Sequence, residues 1–236
     1  RSFGRGTILV EKGSSEKSDE VFYEDLKSIA ATTGINIYAM STGLTKGVNL
    51  GSPSISVLEK PSIALLVDEG VGSSDAGEIW HLFDQRMEIP ITLMPTYRMS
   101  AADLNRYNVI ILPTGNYAAF GEREADKLKS WIQSGGTLIS RGSAMSWLAK
   151  NDIAVFNFVS PDYSDSTQQK SYADLANDQG SKVTGGAIFK AKLDITHPIG
   201  YGYSSGDIHV FKQGNQFLDL SGNPYANPLV YTADPL

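Results

Sequence analysis

The sequence predicts an α/β protein with a mostly parallel sheet, preceded by a small partial α/β segment. Short apolar runs of strand length alternate along the chain with stretches that repeat apolar residues at helical spacing. The run 63–67 contains no polar residue, which is typical of a strand covered on both faces. Strict alternation of strands and helices favours right-handed crossovers, and these require parallel neighbours.

The N-terminal segment has the pattern of a strand, a helix and a second strand. Residues 7–10 predict the first strand, 19–31 an amphipathic helix and 35–40 the second strand. A loop rich in Gly and Ser and a short linker follow. We therefore expect a domain division into 1–60, a remnant of a small α/β segment, and 61–236, the main domain.

The main series begins after the linker. Its predicted strands are 63–67, 89–93, 109–112 and 137–139, and its predicted helices are 75–87, 122–133 and 143–149. The pattern Ser100 to Asp103 has the form of a capping box and predicts a further short helix.

The regular alternation ends after the last of these helices. Residues 153–158 are a candidate fifth strand, and the polar stretch 160–182 predicts an exposed excursion. Three later strands are predicted at 187–193, 208–211 and 229–231, and their direction is left open between parallel and antiparallel.

Composition excludes several classes of protein and of chemistry. With 41% hydrophobic and 19% charged residues among 236, the chain is neither disordered, collagenous nor coiled coil. A net charge of −6 without a basic tract predicts no nucleic-acid partner. No apolar run approaches the ~20 residues of a membrane span. The absence of cysteine removes thiolate nucleophiles, disulfides and Cys-based zinc sites, and we expect no metal and no cofactor.

Three predicted strand ends are rich in Gly and small polar residues: 68–74, 113–117 and 140–143. Ligands of open α/β sheets bind outside the carboxyl ends of the strands, where exposed N–H groups can hold an anion. The alternative is that these segments are simply turns between strands and helices. The candidate ligand-binding residues are Glu69, Gly115, Asn116, Arg141, Gly142 and Ser143.

A serine and a histidine supply the candidates for catalysis. Ser143 is a nucleophile only if a base reaches it, and His197 is the candidate base. No Gly-x-Ser-x-Gly elbow surrounds Ser143. The alternative for His197 is that it caps a turn before Pro198. His81, in the middle of a predicted helix, is expected to be partly buried and structural.

Four segments, taken in order, carry a family resemblance. They read KPSIALLVDEGVGSSDAGEIWHLFDQ at 60–85, YNVIILPTG at 107–115, LKSWIQSGGTLI at 128–139 and LDITHPIGYGY at 193–203. Together they resemble the glutamine amidotransferase-like domain that follows the catalytic domain in certain large bacterial zinc carboxypeptidases. The opening SFGRGTILV at 2–10 resembles the end of the small α/β segment that precedes that domain. The resemblance implies a three-layer α/β/α sandwich of the flavodoxin-like, class I glutamine amidotransferase-like type.

The catalytic residues of that family are not matched here. Active members place a Cys at a sharp turn after a central strand, where this chain has Gly142 or Ser143. Their base lies in a His-Pro-Glu segment, where this chain has His197-Pro-Ile. Thioester glutaminase chemistry is thereby excluded. The zinc carboxypeptidase motif His-x-x-Glu is also absent.

The resemblance therefore implies a non-catalytic accessory domain with a structural, interaction or small-ligand-binding role. Its implied partners are a peptidase domain upstream in the same polypeptide and a small polar ligand or peptide. The implied location is extracytoplasmic, periplasmic or secreted. The chain begins without Met, and we expect it to be a piece of a longer protein. The alternative function is a serine-type hydrolase or amidase that uses Ser143 and His197.

Overall fold

The computed structural model describes residues 3–44, 46, 49–159 and 170–232. The chain divides into two compact units. One consists of 59–189 and 209–227, and the other takes the described residues of 1–58, 190–208 and 228–232. The first boundary, at 58/59, lies near residue 60, and the predicted division into natural domains stays a prediction.

The helices and strands of the main series follow the predicted order, except that no α-helix separates its second and third strands. The helices are Asp19–Thr33 (α1), Ser73–His81 (α2), Glu122–Gln133 (α3), Ala144–Lys150 (α4) and Leu175–Gly180 (α5). The strands are Ile63–Val67 (β1), Ile91–Pro95 (β2), Val109–Leu112 (β3), Thr137–Ser140 (β4), Phe158–Val159 (β5), Thr184–Leu193 (β6), Asp207–Gly214 (β7), Phe217–Leu218 (β8) and Leu229–Tyr231 (β9). A turn of π-helix, Leu82–Arg86, continues α2 through most of the predicted helix 75–87.

The centre of the larger unit is a four-stranded parallel sheet with the order β2-β1-β3-β4. In its register, Ile63 lies opposite Ile91 on one side and opposite Val109 on the other, and Val109 lies opposite Thr137. The predicted α/β class with a mostly parallel sheet is confirmed in this unit. The register brings the carboxyl ends of β1, β3 and β4 to the same edge.

Helices cover both faces of the parallel sheet, but unequally. On one face, α3 and α4 bury Leu128, Trp131 and Leu148 against Leu66 and Ile110 of the sheet. On the other face, α2 and the π turn place Ile79 and Phe83 against a small cluster of buried residues, namely Ile63, Leu65 and Ile111. The two edge strands leave Leu93 and Ile139 each 47% exposed. The second face buries fewer residues because, in the described part of the chain, α2 with its π turn is the only helix that packs against it.

The predicted capping-box helix at 100–103 is wrong. The structure has two short 3₁₀ turns instead, Thr96–Arg98 and Leu104–Arg106. The cap of the second turn is Asp103, whose side chain accepts the Asn105 N–H. Three carbonyls of this loop, those of Met99, Ser100 and Ala102, accept hydrogen bonds from Lys127 of α3, and these bonds replace the hydrogen bonding of a helix.

Of the three elements predicted in the N-terminal segment, the described residues form only the helix. α1 ends at Gly34, which adopts φ 70° and donates its N–H to the Ala30 carbonyl. No strand is present at 7–10 or at 35–40, and Ile8 and Ile35 are more than half exposed. An apolar run becomes a strand only where a neighbouring strand pairs with it, and that neighbour is not part of the local pattern.

The later strands are formed, in part with different bounds. The predicted strand 153–158 is reduced to β5, which pairs antiparallel with β8. Strand β6 has β7 and β9 as neighbours, and its end pairs antiparallel with β9, with Ala191 opposite Tyr231. The described part of the predicted excursion, 170–182, is mostly exposed and holds a 3₁₀ turn and α5. Residues 160–169 lie outside the described residues. No helix in the described part of the chain has the length and apolarity that crossing a bilayer requires.

Candidate functional site

The loops that follow β1 and β3 meet at the carboxyl edge of the sheet through their backbones. Val71 and Gly115 form an isolated antiparallel bridge. The Gly72 N–H donates to the Thr114 carbonyl at 2.8 Å, and the Asn116 N–H donates to the Gly70 carbonyl at 2.7 Å. This is the point where neighbouring crossovers diverge, and ligands of such sheets usually bind there. Here the backbones themselves fill that position.

Ser143 joins the loop after β4 to the same place. Its hydroxyl donates to the Gly115 carbonyl at 2.8 Å, and its oxygen accepts the Gly115 N–H at 3.0 Å. The preceding Gly142 adopts φ 56°, and a Cβ there would lie 2.3 Å from Thr114 Oγ1. The sharp turn therefore favours glycine, and the exposed Ser143 that follows it is tied by hydrogen bonds to the loop after β3. The only partner found for the Ser143 hydroxyl among the described residues is Gly115.

Asp75 is the residue that sequence reasoning missed. It lies in the first turn of α2, and its side chain is only 13% exposed. One carboxylate oxygen accepts the Thr114 N–H at 2.6 Å, and the other accepts from the Arg141 guanidinium. Arg141 also approaches Glu78 at 3.5 Å. An acidic residue in a first turn was the available signal, but that position is ordinary for a favourable helix dipole interaction.

The predicted ligand-binding residues are thus largely bonded to one another. The N–H groups of Gly115 and Asn116 donate to Ser143 and Gly70, and the Asn116 side chain accepts the Ala118 N–H at 3.0 Å. Arg141 is held by two carboxylates. An oxyanion or phosphate site needs N–H groups that point outward, and these point into neighbouring loops.

Glu69 is the exception among the predicted residues. Its backbone carbonyl accepts the Thr96 hydroxyl at 2.9 Å, which fixes the loop after β1. Glu69 also lines a groove of about 500 Å³ beside α2, together with Asp68, Trp80 and Leu93. The structure therefore associates Glu69 with this groove.

His197 belongs to the smaller unit and caps a turn. Its Nδ1 accepts the Ile199 N–H at 3.2 Å at the start of the 3₁₀ turn Pro198–Gly200. Hydrogen bonds from Thr196, with the His197 imidazole as a lesser electrostatic contribution, lower the pKa of the exposed Asp194. The capping alternative for His197 is the arrangement found.

The other two histidines are exposed. His81 is the last residue of α2, and the expectation that it is partly buried is wrong. His209 lies on β7. Within the described ranges, no group of three or more His, Asp or Glu side chains is arranged to hold a metal ion.

Tyr117 is buried and holds the loop after β3 through a hydrogen bond to its backbone. It is 3% exposed, packs between Phe120 and Trp147, and donates its hydroxyl to the Pro113 carbonyl at 2.8 Å. Burial, with the Asp75 carboxylate as a second cause, raises the pKa of Tyr117 above its ordinary value of 10.0. The hydroxyl therefore stays protonated in the folded state where an unfolded chain ionises it.

We expect a phenylalanine at position 117 to lower the free energy of unfolding by about 1 kcal/mol at neutral pH, because the Pro113 carbonyl loses its donor. Above about pH 10 the wild-type protein loses stability relative to the variant, since its unfolded state releases the Tyr117 proton while its folded state keeps it. The difference between the two free energies of unfolding then falls by roughly 1.4 kcal/mol per pH unit. Urea unfolding of both proteins at several pH values between 8 and 11 measures this difference. A difference that stays constant over this range contradicts the raised pKa of Tyr117.

Comparison with known proteins adds no family to this description. No protein-family model matches the chain, and no curated protein matches it at a significant level. The resemblance of the four sequence segments to an amidotransferase-like domain therefore stays a prediction.

Proposed function

We propose that this chain is a non-catalytic, amidotransferase-like accessory domain of an exported zinc carboxypeptidase, with a structural, interaction or small-ligand-binding role. The observation that carries the non-catalytic part is the closed carboxyl edge of the sheet. The N–H groups of Gly72, Thr114, Gly115 and Asn116 all donate to acceptors inside the fold. The edge therefore lacks outward donors at these positions, and the chain contains no thiol.

The strand order supports the finer fold assignment. The order β2-β1-β3-β4 equals the first four strands of the flavodoxin-like order 2-1-3-4-5. Helices on both faces agree with a three-layer sandwich. The link to a carboxypeptidase and the extracytoplasmic location rest on the sequence resemblance alone.

The serine hydrolase alternative requires Ser143 to give its proton to His197. The Ser143 hydroxyl donates to Gly115 instead, and the His197 Nδ1 already accepts from Ile199. With Nδ1 accepting this bond, a neutral His197 carries its proton on Nε2, so neither ring nitrogen has a lone pair free to take the serine proton. These contacts support a structural role for both side chains: Ser143 ties two loops together, and His197 caps a turn.

The activity test compares the purified chain with its Ser143→Ala and His197→Ala variants on glutamine, p-nitrophenyl esters and peptide amides. We expect no turnover by the wild-type protein above that of the variants. Turnover that disappears in both variants would overturn the non-catalytic role and establish the hydrolase.

The proposed partner needs a separate experiment. An antibody against this chain should isolate, from an extracytoplasmic fraction of the source cells, a polypeptide with carboxypeptidase activity that a zinc chelator abolishes. A captured polypeptide without that activity, or one found only in the cytoplasm, would contradict the proposed link.

A further inference from the structure

The groove beside α2 adjoins the closed edge between β1, β3 and β4 at Val71, and it extends from there towards β2. Its floor is apolar and comes from the end of β1, from α2 and from the edge strand β2. The lining residues with apolar side chains are Val67, Val71, Ala76, Trp80 and Leu93. Its volume of about 500 Å³ falls within the range of small-ligand sites.

Two carboxylates border this apolar floor. Asp68 and Glu69 are exposed, and neither side chain makes a hydrogen bond or ion pair with any residue that the structure describes. Asp68 adopts φ 82°, and the Val71 N–H donates to its carbonyl at 3.0 Å, so the backbone of this turn is held beside the groove that Asp68 lines. The combination favours a cation over an anion and an apolar stem over a fully hydrated ion.

Trp80 provides an aromatic surface for such a cation. It is 43% exposed, whereas Trp131 and Trp147 are 5% and 8% exposed. The indole N–H groups of these two donate to the Tyr107 and Phe120 carbonyls. Trp80 is therefore the accessible tryptophan of the chain, and it lies in the groove with the free carboxylates.

We propose that this groove binds the cationic side chain of an arginine or lysine residue in a peptide, with the stem along Trp80 and Leu93 and the charged head at Asp68 and Glu69. Arginine is preferred to lysine, because its planar guanidinium stacks on an indole and binds carboxylates in a bidentate manner. The groove is open to solvent, which suits a side chain presented by a larger ligand. The inference does not depend on the proposed family or on the parent polypeptide.

The test follows the three indole N–H resonances of the ¹⁵N-tryptophan-labelled chain by NMR, with Trp80→Leu identifying the Trp80 signal. The probe is the acetyl-Gly-Arg-Gly amide. Its matched control contains citrulline, which has nearly the same shape as arginine without the charge. We expect the arginine peptide to shift the Trp80 signal to saturation and to bind about tenfold more tightly than the citrulline peptide.

Two variants test the carboxylates without removing the fold. The double variant Asp68→Asn, Glu69→Gln should weaken arginine binding about tenfold, since asparagine also tolerates positive φ. Asp84→Asn removes an exposed carboxylate just beyond α2 that does not line the groove, and it should leave binding unchanged. Equal binding of the arginine and citrulline peptides, an unchanged double variant, or no shift up to about 10 mM peptide would each overturn the proposal.

Discussion

Replacing Gly70 by alanine is expected to lower the free energy of unfolding by about 3 kcal/mol. Gly70 adopts φ 84°, and a Cβ there would lie 2.4 Å from the Asn116 carbonyl oxygen. That obstacle is backbone, so no side-chain rotation relieves it. The two segments are also joined by the hydrogen bond from Asn116 N–H to the Gly70 carbonyl, and a shift of either loop breaks it.

Urea unfolding followed by circular dichroism measures this loss, and Gly77→Ala is the matched control. Gly77 lies within α2, and a Cβ there meets no atom within 4 Å. The control variant should gain roughly 0.5–1 kcal/mol, because alanine favours the helix. A Gly70→Ala protein within about 1 kcal/mol of the wild type would show that the loops do not need their close approach.

Asp75→Ala is expected to lower the free energy of unfolding by about 2–3 kcal/mol. The part-buried Thr114 N–H then loses its charged acceptor, and the loop after β3 loses its tie to α2. The Arg141 ion pair adds less, because the arginine side chain is 57% exposed and water replaces its partner. Arg141→Ala alone should therefore lower the free energy by less than about 1 kcal/mol.

A double-mutant cycle of Asp75→Ala and Arg141→Ala separates the two contributions. We expect a coupling energy below about 1 kcal/mol, with most of the Asp75→Ala loss remaining when Arg141 is absent. If Arg141→Ala alone destabilises as much as Asp75→Ala, the ion pair is the main tie and the interpretation of the Thr114 contact is wrong.

Elements with a strong local pattern were predicted with accurate bounds. β1, β3 and α3 begin and end at the predicted residues. An uninterrupted apolar run identifies a strand covered on both faces, and the apolar stripe of α3 repeats over three turns. α1 also begins at the predicted residue, but it ends two residues later than predicted, where Gly34 adopts the left-handed conformation that favours glycine.

Elements that depend on a distant neighbour were predicted less well. The capping-box pattern at Ser100 competes with Lys127, whose ammonium group accepts no hydrogen bond and donates to three carbonyls of that loop. The apolar runs 7–10 and 35–40 resemble strands in composition, yet no strand forms there. Both differences arise because hydrogen-bond partners far along the chain decide the local structure.

The same limit applies to the candidate site. The sequence by itself determined that three glycine-rich loops follow predicted strands and that no thiol is available among them. It also placed Glu69 next to Asp68, but not either of them beside Trp80. Only the tertiary structure decided that the loops bond to one another through Asp75, Ser143 and Gly115, and that Glu69 lines the adjoining groove beside α2. The physical reason is that a strand end is a local property, whereas the partner of each N–H group depends on which loops the sheet register brings within hydrogen-bond distance.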